Sequence, residues 1–421
     1  MPAKNIARKA KVGLKVLRTG GFLSFTILGL RFVEKNLQRH VKEKQESVNH
    51  LHMIDTKVKY RDALMADYTQ VKHVWGGSSK KQMIFNWLMP PPGMGSGGHL
   101  NIYRFIKYLE DEGHTCRIYI YTQHAPGRVS DIKTLMGDSY PKLKATMEWI
   151  EKGDEMKPAD GIFATSWETA YASFNCKKTA KRFYFVQDFE PYFYAVGSLS
   201  TLAANTYRFG FYGITAGNWL ATKLKRDYNM STDYFDFGSD KALYSFQNNQ
   251  IRKEIFFYAR PYTERRGFEM GIMALELFHE LHPDYVINLA GWDVSNYDIP
   301  FPYNNLQTLE LNQLNDLYNR CAAALVMSFT NMSLLPLELL GSGTIPVVND
   351  GENNVLVSNN PYIAYSASNP IALARELSKV VTRKNSTAYA KKASSSVNTA
   401  GWDESGQKFV RIVERETRRA S

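Results

Sequence analysis

The stretch from Ala322 to Asp350 constrains the fold more than any other. Ala322 to Met327 is an unbroken apolar run, Ala-Ala-Ala-Leu-Val-Met. A run without alternation predicts a strand buried on both faces, as in a parallel sheet. A polar loop follows, and Ser333 is expected to N-cap a short helix with Leu334, Leu337 and Leu340 on one face. Gly341 and Gly343 close that helix, and Thr344 to Val348 predicts the next strand. In a strand–loop–helix–strand unit, ligands bind at the carboxyl ends of the strands, near the helix N-terminus. Glu338 is the one charged residue between Ser328 and Val348. It reads either as a solvated helix carboxylate or as a ligand contact.

The same alternation runs through the chain. At 421 residues it exceeds one ordinary core, so two domains are expected. In the first half, strands are predicted at Met83–Leu88, Arg117–Tyr121, Gly161–Ala164, Arg182–Val186 and Gly213–Ala216. Helices are predicted from about His99 to Glu112, after Thr165–Glu168 and near Asn218. In the second half, strands at Glu254–Tyr258 and Tyr285–Leu289 flank a helix at Phe268–Leu281. A helix over 310–321, a strand at Tyr362–Tyr365 and helices over about 369–380 and 403–418 complete the pattern. Strands alternating with helices predict mostly parallel sheets covered on both faces, an α/β fold. Periodicity breaks over 238–252. The expected domains are therefore a basic arm and connector at 1–80, a first α/β domain at 81–245, a second at 246–400 and a C-terminal helix at 401–421 packing back on the first domain.

Charge is uneven. The net charge is +11, and residues 1–44 hold eleven Lys or Arg against two acids, Glu34 and Glu43. Between the basic flanks, Gly21 to Phe32 carries Phe22, Leu23, Phe25, Ile27, Leu28 and Leu30. This is shorter than the roughly 20 apolar residues a bilayer span needs. Basic flanks around a short apolar helix suit an anionic membrane surface; a helix packed on the body with a solvated basic face is the plainer reading. No nucleic-acid motif accompanies the charge, so no nucleic-acid partner is expected. No small-residue cleavage site follows the apolar stretch, so no secretory signal is expected. Cys116, Cys176 and Cys321 are far apart, against a disulfide framework or zinc cluster and in keeping with a reducing cytoplasm.

Several residues could carry chemistry. Arg260 ends a predicted strand, and Arg265 and Arg266 open the following helix. Guanidinium forks match phosphate oxygens, and a helix N-terminus adds partial positive charge. A salt bridge, to Glu264 for instance, is the plainer role for Arg260, and a structural role is expected of Arg265. The turn Pro90–Gly98, with Gly97 and Gly98, lets backbone approach a ligand. Its spacing is not the dinucleotide fingerprint. His99 and Asp188 stand at loop ends where they could orient a bound ligand; a helix-start residue and a cap for Phe189 are their structural readings.

Arg260, Arg266-Gly267, Gly291, Pro336-Leu337-Glu338 and Gly343–Val348 together resemble the donor domain of the retaining glycosyltransferases of family 4, over about residues 80–400. Val186–Tyr194 and Asn349–Asn354 resemble the rhamnosyltransferase branch that builds S-layer glycans, O-antigens and related bacterial rhamnans. The resemblance implies the two-domain GT-B architecture, two Rossmann-like domains facing a cleft. It implies that Arg260 and Arg266 hold the donor diphosphate, Arg266 standing where the family usually has Lys. Glu338 matches the second carboxylate of the family's Glu-x7-Glu pattern, which holds the ribose. The first would fall at Thr330 and is absent; Thr330 and Asn331 offer neutral hydrogen bonds instead. Gly97, Gly98, Gly291 and Leu334 complete the implied donor site.

The expected function is transfer of a rhamnosyl unit from dTDP-L-rhamnose to a lipid-linked saccharide in surface polysaccharide synthesis, with retention. No Asp-x-Asp motif occurs, so no metal site and no cofactor beyond the nucleotide sugar are expected. The expected location is the cytoplasmic face of the plasma membrane. Alternatives are the same fold with a UDP- or GDP-sugar, or a non-catalytic membrane-associated scaffold.

Overall fold

The computed structural model describes residues 58–92, 96–122, 128–136, 140–332, 334–397 and 401–420. The chain divides into Met1–Tyr60, of which 58–60 are described, and Arg61–Ser421, which holds both sheets. The basic arm and its apolar stretch lie outside the described residues, as do Ser333 and residues 93–95 of the glycine-rich turn.

The first sheet is entirely parallel, in the order β3-β2-β1-β4-β5-β6-β7. Its strands are β1 (Ile84–Met89), β2 (Thr115–Tyr121), β3 (Thr146–Ile150), β4 (Gly161–Ala164), β5 (Lys181–Val186), β6 (Tyr212–Ala216) and β7 (Thr232–Phe235). The central strands are apolar on both faces because helices cover both sides; every residue of β4 and β5 is buried. The crossovers include α1 (Gly97–Asp111), α2 (Trp167–Asn175) and α3 (Asn218–Tyr228). On β1, β4 and β5 an aromatic core forms, with Trp87 and Phe183 stacked on Phe163 and Phe85 edge-on to it.

The second sheet repeats the topology in the order β10-β9-β8-β11-β12-β13. It contains β8 (Glu254–Tyr258), β9 (Val286–Ala290), β10 (Asn304–Gln307), β11 (Cys321–Val326), β12 (Ile345–Asn349) and β13 (Ala364–Ser366). Its helices include α4 (Phe268–Leu281), α5 (Leu311–Arg320), α6 (Leu335–Gly341), α7 (Pro370–Val381) and α8 (Ser386–Val397). The segment 236–253 links the two sheets.

The last helix, α9 (Trp402–Arg418), returns to the first sheet. Its Phe409 packs on Trp87, Phe105, Phe163 and Phe185. Burial of Phe409, Val410, Ile412 and Val413 contributes several kcal/mol, at about 1.5–3 kcal/mol for each large side chain. The chain therefore crosses between the sheets twice, at 236–253 and before α9. Among the described residues no helix is long and apolar enough to cross a membrane.

Strand order reverses between β1 and β4 in one sheet and between β8 and β11 in the other. In open parallel sheets the crevice at such a switch point, beyond the carboxyl ends of the strands, is where ligands bind. The loops after β8 and β11 hold Arg260, Arg266, Thr330 and Asn331.

Candidate active site

Arg260 leaves the end of β8. Its Nη1 donates to the Tyr258 hydroxyl at 3.2 Å, and its guanidinium lies over that ring. Among the described residues no carboxylate stands within ion-pair distance of Arg260 or Arg266, so the expected alternative of a pairing with Glu264 is not formed. The Arg266 Nη1 donates instead to the Ser328 hydroxyl at 3.1 Å. A single 3-10 turn, Glu264–Arg266, presents Arg265 and Arg266, and Gly267 follows in the left-handed region at φ 55° with no side chain capping α4. A Cβ there would fall 2.7 Å from the Phe329 ring. Burial lowers the pKa of the third cation, Arg265, and its neighbours Arg266 and Arg260 lower it further. Gly291, after β9, sits at φ 119°, and a Cβ would meet the Tyr258 ring at 2.6 Å. The glycine lets backbone cross the face of the side chain that holds Arg260.

Asp188, after β5, ties the two domains together. One carboxylate oxygen accepts from the backbone N–H of Asn331 and of Phe189, both at 2.8 Å. The other accepts from the Thr330 hydroxyl at 3.0 Å and faces Arg265 Nε at 3.6 Å. Arg265, expected to be structural, is thus an interdomain cation, and its guanidinium also lies 4.0 Å over the Phe193 ring. The Asn331 amide donates to the carbonyls of Gln187 and Ala216 at 3.0 and 2.9 Å. Its own Oδ1 is buried and has no hydrogen-bond partner among the described residues. A buried acceptor left unpaired costs about 1–3 kcal/mol.

Three asparagines explain the Asn349–Asn354 motif. The side chains of Asn349, Asn353 and Asn354 all donate to the Ser328 carbonyl, at 2.9, 3.0 and 3.0 Å. Asn349 Oδ1 accepts the Ser328 N–H at 2.8 Å. The loop after β11 is held from below by these amides and from above by Asp188. Thr330 and Asn331 are fully buried in it.

Glu338 stands apart from this cluster. It is half-buried on α6, beside Tyr244 and Asp240 of the linker and Arg104 of α1. Burial and the neighbouring Asp240 push its carboxyl up to about 7, while Arg104 and a hydrogen bond from Tyr244 pull it down. Arg104 is itself held by Asn101 at 2.8 Å, by Asp240 at 3.6 Å and over the Trp402 ring. Burial raises the pKa of the Tyr318 hydroxyl, and the nearby Glu338 raises it further. Leu334 is the N-cap residue of α6, with Pro336 in the first turn.

At the other switch point, Ser96 caps α1, and Gly97 and Gly98 form its first turn. His99 Nδ1 meets the Ser96 hydroxyl at 2.8 Å and Nε2 meets the Pro90 carbonyl at 3.3 Å. A carbonyl only accepts, so Nε2 carries the proton. Burial lowers the His99 pKa, and the neutral ring bridges the two ends of the glycine-rich turn. Gln187 Nε2 donates to the Gly98 carbonyl at 3.0 Å, which joins that turn to Asp188. Glu190, two residues on, is buried and accepts from Trp167 N–H at 2.6 Å and Tyr184 hydroxyl at 2.8 Å; burial raises its pKa.

The structure thus brings Asp188, Thr330, Asn331 and the Arg260–Arg266 turn together, joins His99, Gly97 and Gly98 to them through Gln187, and sets Glu338 against the linker. Sequence reasoning missed Arg104, Asp240, Tyr244, Phe193 and the exposed pair Tyr262 and Trp292, whose rings meet edge-on at 5.2 Å beside Arg260 and Gly291. A charged Arg104 on the mostly buried face of α1 was the one available signal.

Two parallel-sheet α/β domains with facing switch points define the GT-B architecture. Residues 253–378 match the family described as WsaF, C-terminal domain. The chain is 31% identical over 277 residues to the O-antigen biosynthesis protein RfbC of Myxococcus xanthus, a match covering 64% of this chain and 22% of RfbC. The chain therefore spans about a fifth of that relative's length. The Anabaena protein HepE in complex with UDP-glucose superposes with a TM-score of 0.61 at 15% identity, covering 79% of this chain and all of that one. WaaG, a glycosyltransferase involved in lipopolysaccharide biosynthesis, gives 0.55 at 12% identity, covering 78% and 99%.

Proposed function

We propose that this chain is a glycosyltransferase unit that moves a sugar from a nucleoside-diphosphate donor to a saccharide acceptor in surface polysaccharide synthesis. The observation that carries this is the set of guanidiniums at the β8/β11 switch point, where Arg260 and Arg266 face no carboxylate among the described residues. A leaving diphosphate gains negative charge as its bond to the sugar breaks, and cations fixed in place stabilise that charge without reorganising. Arg260 and Arg266 hold the diphosphate. Tyr262 and Trp292 offer ring faces for the base, and Glu338 in its ionised form accepts from the ribose. The buried Thr330–Asn331 loop stands in for the missing first carboxylate.

The sugar in this proposal is L-rhamnose, carried as dTDP-L-rhamnose; the resemblance of Val186–Tyr194 and Asn349–Asn354 to rhamnosyltransferases supports it. Retention fits a front-face attack, because the Asp188 carboxylate is occupied by three hydrogen bonds and a cation and is a poor nucleophile. The acceptor is a lipid-linked saccharide, and the basic arm brings the cleft to an anionic membrane on its cytoplasmic side. A UDP-sugar is the second reading, favoured by the UDP-glucose bound to the Anabaena protein of like fold.

A thermal-shift panel of dTDP-L-rhamnose, UDP-glucose and GDP-mannose tests the proposal, since a ligand of the native state raises its melting temperature. A rise with dTDP-L-rhamnose is expected. A rise with UDP-glucose alone moves the donor to the second reading, and no rise with any of the three refutes donor binding.

A further inference from the structure

An open cleft of about 480 Å3 lies on the first domain, between the turn that follows Asp188, the helix Ser198–Asn205 and α3. It is within the roughly 300–1,000 Å3 typical of ligand clefts, and the mechanism above makes no use of it. Its wall is aromatic. The Tyr192 ring is 53% exposed and stands edge-on to Phe189 at 4.6 Å. Lys223 sits over both rings, 4.5 Å from the centroid of Phe189 and 5.6 Å from that of Tyr192, with its charge answered by Asp227 at 2.9 Å. Opposite, the Arg208 guanidinium lies 4.7 Å over the Tyr228 ring. Arg208 is exposed and has no carboxylate within ion-pair distance among the described residues. Thr201 and Asn205 line the rim.

An exposed tyrosine ring beside hydroxyl, amide and guanidinium groups suits one class of ligand well. A pyranose has an apolar C–H face and an equatorial belt of hydroxyls, so it can lie on a tyrosine and still satisfy its polar edge. The position of the cleft agrees. The short turn Glu190–Phe193 carries Tyr192 on its cleft side, and Phe193 one residue on lies beneath Arg265, which faces Asp188. One rigid turn therefore forms the wall of the cleft and the edge of the interdomain site.

We infer that this cleft is a saccharide subsite that holds a pyranose of the acceptor glycan on Tyr192, with Thr201, Asn205 and Arg208 as its hydrogen-bonding rim. The inference rests on the proposed transfer reaction, and it assigns the acceptor to a place that nothing in the donor site specifies. Tyr192 is a binding residue here; no bond is made or broken in the cleft.

The test uses the full chain on an immobilised array of bacterial surface oligosaccharides, with nucleotide-sugar affinity measured on the same preparations. The wild type binds at least one glycan. Tyr192→Ala and Arg208→Ala weaken that binding by roughly tenfold, Tyr192→Phe retains it, and nucleotide-sugar affinity and melting temperature stay at the wild-type values. No glycan bound by the wild type, or glycan binding unchanged in both alanine variants, overturns the inference. If a nucleotide sugar binds while glycans ignore the cleft, the subsite is wrong and the transfer reading stands. If glycans obey the cleft and no nucleotide sugar binds, the reverse holds.

Discussion

Glu338→Gln separates the cost of a half-buried carboxylate from its use. The Glu338 carboxyl moves from an ordinary 4.5 to about 7 in the folded chain, through burial first and Asp240 second. Between those two values the native state binds a proton that the unfolded chain releases. Stability therefore falls as pH rises through that window, and the full loss is present above the folded value. The size is about 3 kcal/mol, from roughly 1.4 kcal/mol for each tenfold change in proton affinity. Glutamine keeps the shape and carries no charge. It is expected to match the wild type at about pH 4.5 and to exceed it by up to about 3 kcal/mol at about pH 8. Urea denaturation at both pH values reads the difference. Arg104→Met, which removes the cation that pulls this carboxyl down, should widen the gap and shift its midpoint upward. A stability difference between wild type and Glu338→Gln that does not change with pH would refute the reasoning.

Other consequences can be checked in the same preparations. If ionised Glu338 accepts from ribose hydroxyls, nucleotide-sugar affinity rises with pH through about 7 and is weaker and flat in Glu338→Gln; a flat wild-type profile removes the ribose role. Asp188→Asn replaces one accepting oxygen by a donor that faces the Thr330 hydroxyl, the Asn331 N–H or Arg265. It should lower stability by about 1.5–3 kcal/mol, the scale of a charge-assisted hydrogen bond, and reduce transfer with it; unaltered stability would show that the interdomain tie is weak. Deleting residues 1–44, net charge +9, should release the protein from anionic vesicles and leave nucleotide binding intact, and equal vesicle binding without the arm ends the membrane proposal.

The α/β architecture was legible because its central strands are apolar on both faces. Glu254–Tyr258 and Gly161–Ala164 were read to the residue. The strands that escaped notice, Thr146–Ile150, Thr232–Phe235 and Asn304–Gln307, are sheet edges. Edge strands keep one side in water and need no continuous apolar run. The helix Ser386–Val397 was missed for a related reason: its Ala, Ser and Lys composition gives little apolar periodicity. At the site, motifs marked Arg260, Arg266, Asp188, Thr330 and Asn331 because each lies in a loop that follows a strand. Their partners could not be read. Arg104 and Glu338, Asp188 and Thr330, and Phe193 and Arg265 are far apart in sequence, and only the folding of two sheets against one linker brings them together. At Asp188 the cap for Phe189 was legible, and the contacts to Thr330, Asn331 and Arg265 were not.

The claim that Arg260 holds a donor diphosphate is tested most directly by titration calorimetry of dTDP-L-rhamnose and UDP-glucose into wild type and Arg260→Ala. One donor should bind the wild type and bind the variant at least about tenfold more weakly, the scale of one charge-assisted contact of about 1.5–3 kcal/mol. Equal dissociation constants in the two proteins, or no binding of either donor to the wild type, would contradict it.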